Sequence, residues 1–419
     1  MLALGAAKAA ATLTLGIDIV QRMRRCTPTW TRACDAEATA AIIEEVAGDA
    51  SYWPTPWLGG LLGGHFQSIW YGLNPYAPTF EYSIESWRTA DGGTLAIAWP
   101  IVAEDLPETA PVVLVLPGLC GSAAGLGHTV EAMLAAGLRP AVFHARGCGH
   151  ALTSPSFNLF GNTDDLREAV AHLRAARPAA NAICLYSISA GTGLMVRYLG
   201  EEGAAGNAPI AAAVANCPGY DIGVCLTRVA HLYDGAYYMD VLKKHWLSGG
   251  NGAVLEAALP AACERMRAAR DMHSFMVACA PFALSGGAAG GEAAPGTPAD
   301  AFAAFLARSN PMGTAHRVDV PSLILNADDD PICGAINVDE NVPAIFAAGG
   351  CRRTVLLRYA TGGHCCFAKG LRGRRWGDEL GAKFLAAAAA PTATSGAAPQ
   401  EPAARRAKTR RGTSPRRRG

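Results

Sequence analysis

The chain is predicted to be an α/β protein: a mostly parallel central sheet flanked by helices, with a helical lid inserted late in the chain. Three observations predict it. From about Leu95, short apolar runs alternate with helical stretches, the pattern of βα units around a buried parallel sheet. The run Ala182-Ile-Cys-Leu-Tyr-Ser-Ile-Ser-Ala-Gly191 ends on a serine between small residues and passes into helix-forming sequence, as a sharp strand-to-helix turn requires. A candidate acid, Asp330, and then a candidate base, His364, follow that serine in chain order.

Taken in order, residues 1–50 read as an N-terminal extension. Lys8 and Asp18 interrupt its apolar stretches, so Ala9 to Ile17 is too short to span a bilayer. Residues 1–34 carry Lys8, Arg22, Arg24, Arg25 and Arg32 against Asp18 alone. That composition fits a targeting segment, an interfacial helix or an ordinary amphipathic helix. Residues 51–390 form the main domain. Its expected strands are Leu95–Ile101, Val112–Leu116, Pro140–His144, Ala182–Ser187, Ala211–Cys217, Ser322–Ala327 and Thr354–Tyr359. Expected helices include Asp164–Ala176, Ala190–Glu202 and Gly373–Ala389. Residues 218–320 are read as the lid, with helices over Tyr233–Leu247 and Leu255–Met272 and a flexible Gly/Ala-rich loop over Gly286–Pro298.

Half of the 419 residues are hydrophobic and 17% are charged, enough for a large core. The formal net charge of +1 is uneven: residues 401–419 carry eight Lys/Arg against Glu401. Residues 391–419 therefore read as a disordered basic tail. Solvation of that tail is favoured over contact with RNA or anionic lipid, and no nucleic-acid partner is expected. The thirteen cysteines show neither a C-x-x-C pair nor zinc spacing with histidine, which points to free thiols in a reducing, intracellular compartment. Membrane association or an organelle stays open. No metal and no cofactor is expected.

Ser189 is the candidate nucleophile, in Ser187-Ile-Ser189-Ala-Gly191, a G-x-S-x-G turn with serine at its first position. A serine needs a base, an acid to orient the base, and donors for an oxyanion. His364 follows the last expected strand in Gly362-Gly-His364, where two glycines permit a tight path. The acid stands in Asp328-Asp-Asp330-Pro331; Asp330 is preferred because proline fixes its turn, with Asp329 second. The turn Leu116-Pro-Gly-Leu-Cys-Gly-Ser122 should supply one oxyanion donor, the amide of Leu119, and Ala190 the other. The order Ser, Asp, His is that of α/β-hydrolases.

Several stretches together resemble the YheT-like α/β-hydrolases, which include the medium-chain ester hydrolase/acyltransferases of yeast and the animal ABHD one-to-three subgroup. They are Gly63–Ser68 (G-G-H-F-Q-S), the Leu116–Ser122 turn, Arg146-Gly-Cys-Gly, Gly161–Leu166, Tyr186–Gly191 with Arg197–Glu202, Leu325–Pro331 and Gly362–His364. The resemblance runs from about residue 52 to 390. It implies a serine hydrolase that cleaves or transfers acyl groups of medium- or long-chain esters or lipids, with peripheral membrane contact as an option. It also places Gly63–Ser68 near the site, with a packing or hydrogen-bonding role favoured for His65 over a catalytic one. Trp53, Trp57, Phe66, Trp70 and Tyr71 would form a packed cap or a lipid-facing rim, the cap being favoured. Two departures matter: Pro117 stands where the family has histidine, and Ser187 replaces the first elbow glycine. They motivate the alternative of a catalytically inactive hydrolase fold used for binding.

Overall fold

The computed structural model describes residues 25–390 apart from 59–61, 161, 206–208, 227–232, 234–236, 285–296 and 348. Nine strands form one sheet: β1 (Thr29–Arg32), β2 (Tyr82–Arg88), β3 (Thr94–Pro100), β4 (Val112–Leu116), β5 (Arg139–His144), β6 (Ile183–Ile188), β7 (Ala213–Asn216), β8 (Ser322–Ala327) and β9 (Thr354–Tyr359). Their order across the sheet is β1-β9-β8-β7-β6-β4-β5-β3-β2. Neighbours from β5 to β9 run parallel, while β1, β2 and β3 pair antiparallel at the two sides.

The parallel strands read as unbroken apolar runs because both faces are covered. On β4, Val113 and Val115 enter the core on one face, and Val112, Leu114 and Leu116 the core on the other. The flanking helices are α1 (Glu37–Ala47), α2 (Gly63–Leu73), α3 (Gly127–Ala135), α4 (Asp164–Ala176), α5 (Ala190–Ala205), and later α11 (Ala335–Ala347) and α12 (Trp376–Ala388). Between β7 and β8 lie α6 (Met239–Leu247), α7 (Gly249–Ala258), α8 (Pro260–Ala268), α9 (Met272–Leu284) and α10 (Pro298–Ser309). These insertion helices build a core of their own around Phe157, Trp246, Phe275 and Phe282.

Three expectations need correction. The boundary at residue 51 is too late: β1 pairs with β9, and α1 buries Thr39, Ala40 and Ile43, so the fold already includes residues near Cys26. The helix expected over Leu255–Met272 is three helices, because Pro260 opens a new one and the chain turns again before Met272. The insertion core also takes in Cys148, Leu152, Phe157 and Leu159, which precede residue 218. The helix expected over Tyr233–Leu247 is described as α6 from Met239. The segment 1–24, most of the Gly286–Pro298 loop and the tail 391–419 lie outside the described residues. Among the described residues no helix is long and apolar enough to cross a membrane.

Strands β4 and β6 are neighbours, yet the chain winds from β4 toward β5 and from β6 toward β7 in opposite directions. The crevice beyond the carboxyl ends of such a pair is where open α/β sheets bind ligands. Leu119 follows β4 and Ser189 follows β6.

Candidate active site

Ser189 sits between β6 and α5 with φ of 51°, a left-handed conformation that costs a serine and is held by its surroundings. Its N–H donates to Asn216 O on the β7 side at 3.0 Å. A side chain at Gly191 would put Cβ 2.5 Å from Leu116 O, so this elbow position requires glycine. Ser187, the departure from glycine, is fully buried and donates its hydroxyl to Val214 O at 3.0 Å, which satisfies the added polar group.

His364 Nε2 lies 2.7 Å from Ser189 Oγ, and Nδ1 lies 2.9 and 3.1 Å from the two oxygens of Asp330. The Asp330 carboxylate is buried and accepts the Ile332 and Cys333 amides at 2.8 and 3.0 Å. Burial works against a charged imidazole, but the Asp330 carboxylate and then Cys365 outweigh it, and the pKa of His364 stands well above 6.5.

The three aspartates have separate surroundings. Asp328 is exposed and paired with Arg358. Asp329 points at the histidine loop, accepting the Thr361 hydroxyl at 2.7 Å and the Gly362 and Gly363 amides at 2.9 and 2.8 Å. Burial pushes its carboxyl upward, and these donors pull against that. Asp330 alone of the three meets the imidazole.

Leu119 and Ala190 both line an apolar pocket that opens on Ser189. Ala190 is the first residue of α5, whose leading amides have no partner within the helix. Among the described residues neither the Leu119 nor the Ala190 amide donates a turn or loop bond. Gly118 brings the β4 turn close: a Cβ there would sit 3.4 Å from that of Ser189. The rest of the pocket comes from the sheet domain (Phe160, Thr192, Tyr220) and from the insertion (Leu226, Tyr238, Met272).

Several neighbours were not singled out from sequence as site residues. Ser68 on α2 accepts the His364 N–H at 2.8 Å and donates to Gly64 O at 2.6 Å. Cys217 and Cys365 flank the imidazole, and the Cys365 amide donates to Cys217 Sγ at 3.2 Å. Burial opposes ionisation of the Cys365 thiol, but Cys217 and His364 bring it down to about 7. The metal-ligating atoms of Cys217, His364 and Cys365 lie within 4.8 Å of one another, as do those of Asp330, Cys333 and His364. Both sets share His364, so a cation held there would compete with its bonds to Ser189 and Asp330. His65 bonds Tyr233 of the insertion between β7 and β8, Nδ1 to hydroxyl at 2.6 Å, rather than joining Ser189. Arg146 and Asp165, from two stretches of the resemblance, form a buried ion pair at 2.8 Å that ties the loop after β5 to α4. The packed-cap expectation is corrected: Trp53, Trp57 and Phe66 are exposed, while Trp70 and Tyr71 pack inward.

No family model matches the chain. It is 33% identical over 168 residues to the embryogenesis-associated protein EMB8 of Picea glauca, covering 38% of this chain and 36% of that one. It is 36% identical over 165 residues to human protein ABHD15, covering 36% and 33%, and 30% identical over 185 residues to mouse phospholipase ABHD3, covering 42% and 43%. The chain has the α/β-hydrolase fold and is similar to ABHD15 and ABHD3 over part of its length. The matched segments span well under half the length of these relatives.

Proposed function

We propose that the protein is a lipase-like carboxylic ester hydrolase acting through an acyl-enzyme on Ser189. The observation that carries this reading is the unbroken line Ser189–His364–Asp330, at 2.7 and 2.9 Å, at the mouth of an apolar pocket. In the resting tautomer Nδ1–H donates to Asp330 and Nε2 accepts the Ser189 proton. Oγ attacks the ester carbonyl as Nε2 takes that proton, and the oxyanion is received by the Leu119 and Ala190 amides. Collapse returns the proton from Nε2 to the leaving alcohol. Water then repeats the sequence to free the acid; an alcohol in place of water gives acyl transfer.

The apolar pocket favours medium or long acyl chains of esters or lipids as substrate. The narrower YheT-like placement belongs to the same proposal. The inactive-fold alternative has less support, because Ser187 fits its site and the Leu119 amide is independent of Pro117. The test is labelling with a fluorophosphonate, which reacts with an activated serine. Labelling lost in Ser189→Ala, together with hydrolysis of p-nitrophenyl esters by the unsubstituted protein, is expected; an unlabelled, folded protein would return it to the binding-fold reading.

A further inference from the structure

The helix that braces His364 has a second face that nothing in the described structure covers. On α2, Gly63, Gly64 and Gln67 point inward, whereas Phe66, Ile69 and Leu73 are 48, 48 and 71% exposed. Their spacing sets them on one stripe of the helix. The stripe continues on adjacent loops. Trp57, itself exposed, donates Nε1–H to the carbonyl of Leu371, which is 79% exposed, and its ring meets that of Trp70 edge-on at 4.5 Å. Pro54 bridges to Lys369, which brings exposed Trp53 to the same side. Scattered surface leucines are ordinary; a linked patch of this size marks an interaction surface.

Charge says what kind. Residues 51–80 contain no Asp, Glu, Lys or Arg, in a chain that is 17% charged. The charges beside the patch are three cations against two acids: Lys369 and Arg374 share Glu379, and Arg374 also meets Glu131. Arg372 lies over the Tyr76 ring at 5.7 Å and has no carboxylate partner among the described residues. An apolar face carrying tryptophan and tyrosine with a cationic fringe matches a bilayer surface, where aromatic side chains settle at the headgroup level and cations meet phosphate. A symmetric second copy would set the fringe against itself. Residues 391–419 hold no large apolar side chain with which to cover the patch.

We propose that this face docks on a phospholipid bilayer, with α2 lying along the surface. Its purpose, drawing acyl esters from the membrane into the pocket, rests on the ester-hydrolase reading, but the docking itself does not. The full chain carrying Ser189→Ala is therefore sedimented with phosphatidylcholine vesicles, with and without phosphatidylserine. It should co-sediment with both. Joint substitution Phe66→Ser, Ile69→Ser, Leu73→Ser and Leu371→Ser should lower partitioning by about tenfold or more, as expected for an interface held by buried apolar area. In the active protein the same four changes should leave turnover of a soluble acetyl ester within about twofold and lower turnover of a vesicle-held long-chain ester by about tenfold. Should the fourfold variant misfold, brominated phosphatidylcholine should still quench the fluorescence of Ser189→Ala, and less so after Trp53→Phe with Trp57→Phe. Absence of binding to phosphatidylcholine, binding that needs phosphatidylserine and vanishes in salt, or a dimer dependent on the four residues in place of vesicle binding would each overturn docking. Vesicle binding by a protein that hydrolyses no ester would uphold docking and overturn the ester-hydrolase reading alone.

Discussion

The hydroxyl of Ser68 accepts the backbone N–H of His364 at 2.8 Å while donating to Gly64 O at 2.6 Å, so one side chain couples α2 to the imidazole that faces Ser189. Gly64 is itself pressed onto the acid loop: a Cβ there would fall 1.8 Å from the carbonyl oxygen of Asp329. Gly64 and Ser68 thus position the base from behind without touching a substrate.

Ser68→Ala is expected to lower kcat by about fivefold with KM little changed, since losing one hydrogen bond of about 1 kcal/mol loosens the histidine loop. Ser68→Thr, which retains the hydroxyl, should recover most of the rate. Steady-state kinetics on a soluble ester checks this, and an equal fall for both variants would reduce Ser68 to a packing role.

The aspartates should separate in kind. Asp330→Asn leaves the imidazole in the wrong tautomer and is expected to cost up to about 10⁴-fold in kcat. Asp329→Ala strands three donors of the histidine loop and should cost roughly 2–4 kcal/mol of stability, read as a lower urea midpoint. Asp328→Asn, at an exposed pair with Arg358, should change either quantity little. Equal, mild effects of all three would remove Asp330 from the proposed mechanism.

Hydrolysis requires a neutral His364, and the raised pKa means that the imidazole stays protonated to a higher pH than an ordinary histidine. The kcat/KM profile should therefore rise with pH through a midpoint above 6.5 and then level off. Because Cys365 contributes to that rise, Cys365→Ser should move the midpoint toward lower pH while keeping the plateau within about threefold. A limb at or below the ordinary histidine value would contradict this electrostatic account.

Chain-length preference should follow the side of the pocket that the insertion between β7 and β8 supplies. Met272→Trp narrows a wall supplied by α9, so p-nitrophenyl esters of long acyl chains should lose about tenfold in kcat/KM while the acetyl ester changes less than about threefold. Uniform loss across the panel would mean that the acyl group binds elsewhere.

Much of this was legible in the residues. The strands Val112–Leu116, Ser322–Ala327 and Thr354–Tyr359 match their expected bounds, because doubly covered strands are short apolar runs between turns. The meeting of Ser189, His364 and Asp330 followed from their order and flanking turns. β2 was not legible, since its alternation Tyr82-Ser-Ile-Glu-Ser-Trp-Arg88 puts no strong apolar run on the page. β1 escaped as well, being four residues whose partner lies more than three hundred positions away. The thiols beside His364 and the role of Ser68 arise only when distant loops converge, and no local pattern announces such contacts.

The small strand Thr29–Arg32 has a practical meaning for anyone shortening this protein. It hydrogen-bonds along Val355–Arg358, with Trp30 opposite Leu357 and Thr31 opposite Leu356, and so closes one side of the sheet. A version beginning at residue 51, the limit that composition suggests, would present β9 as a bare apolar edge, open to any other strand. Such a version should be recovered as aggregates on gel filtration, whereas one beginning at Arg25 should run as a discrete species.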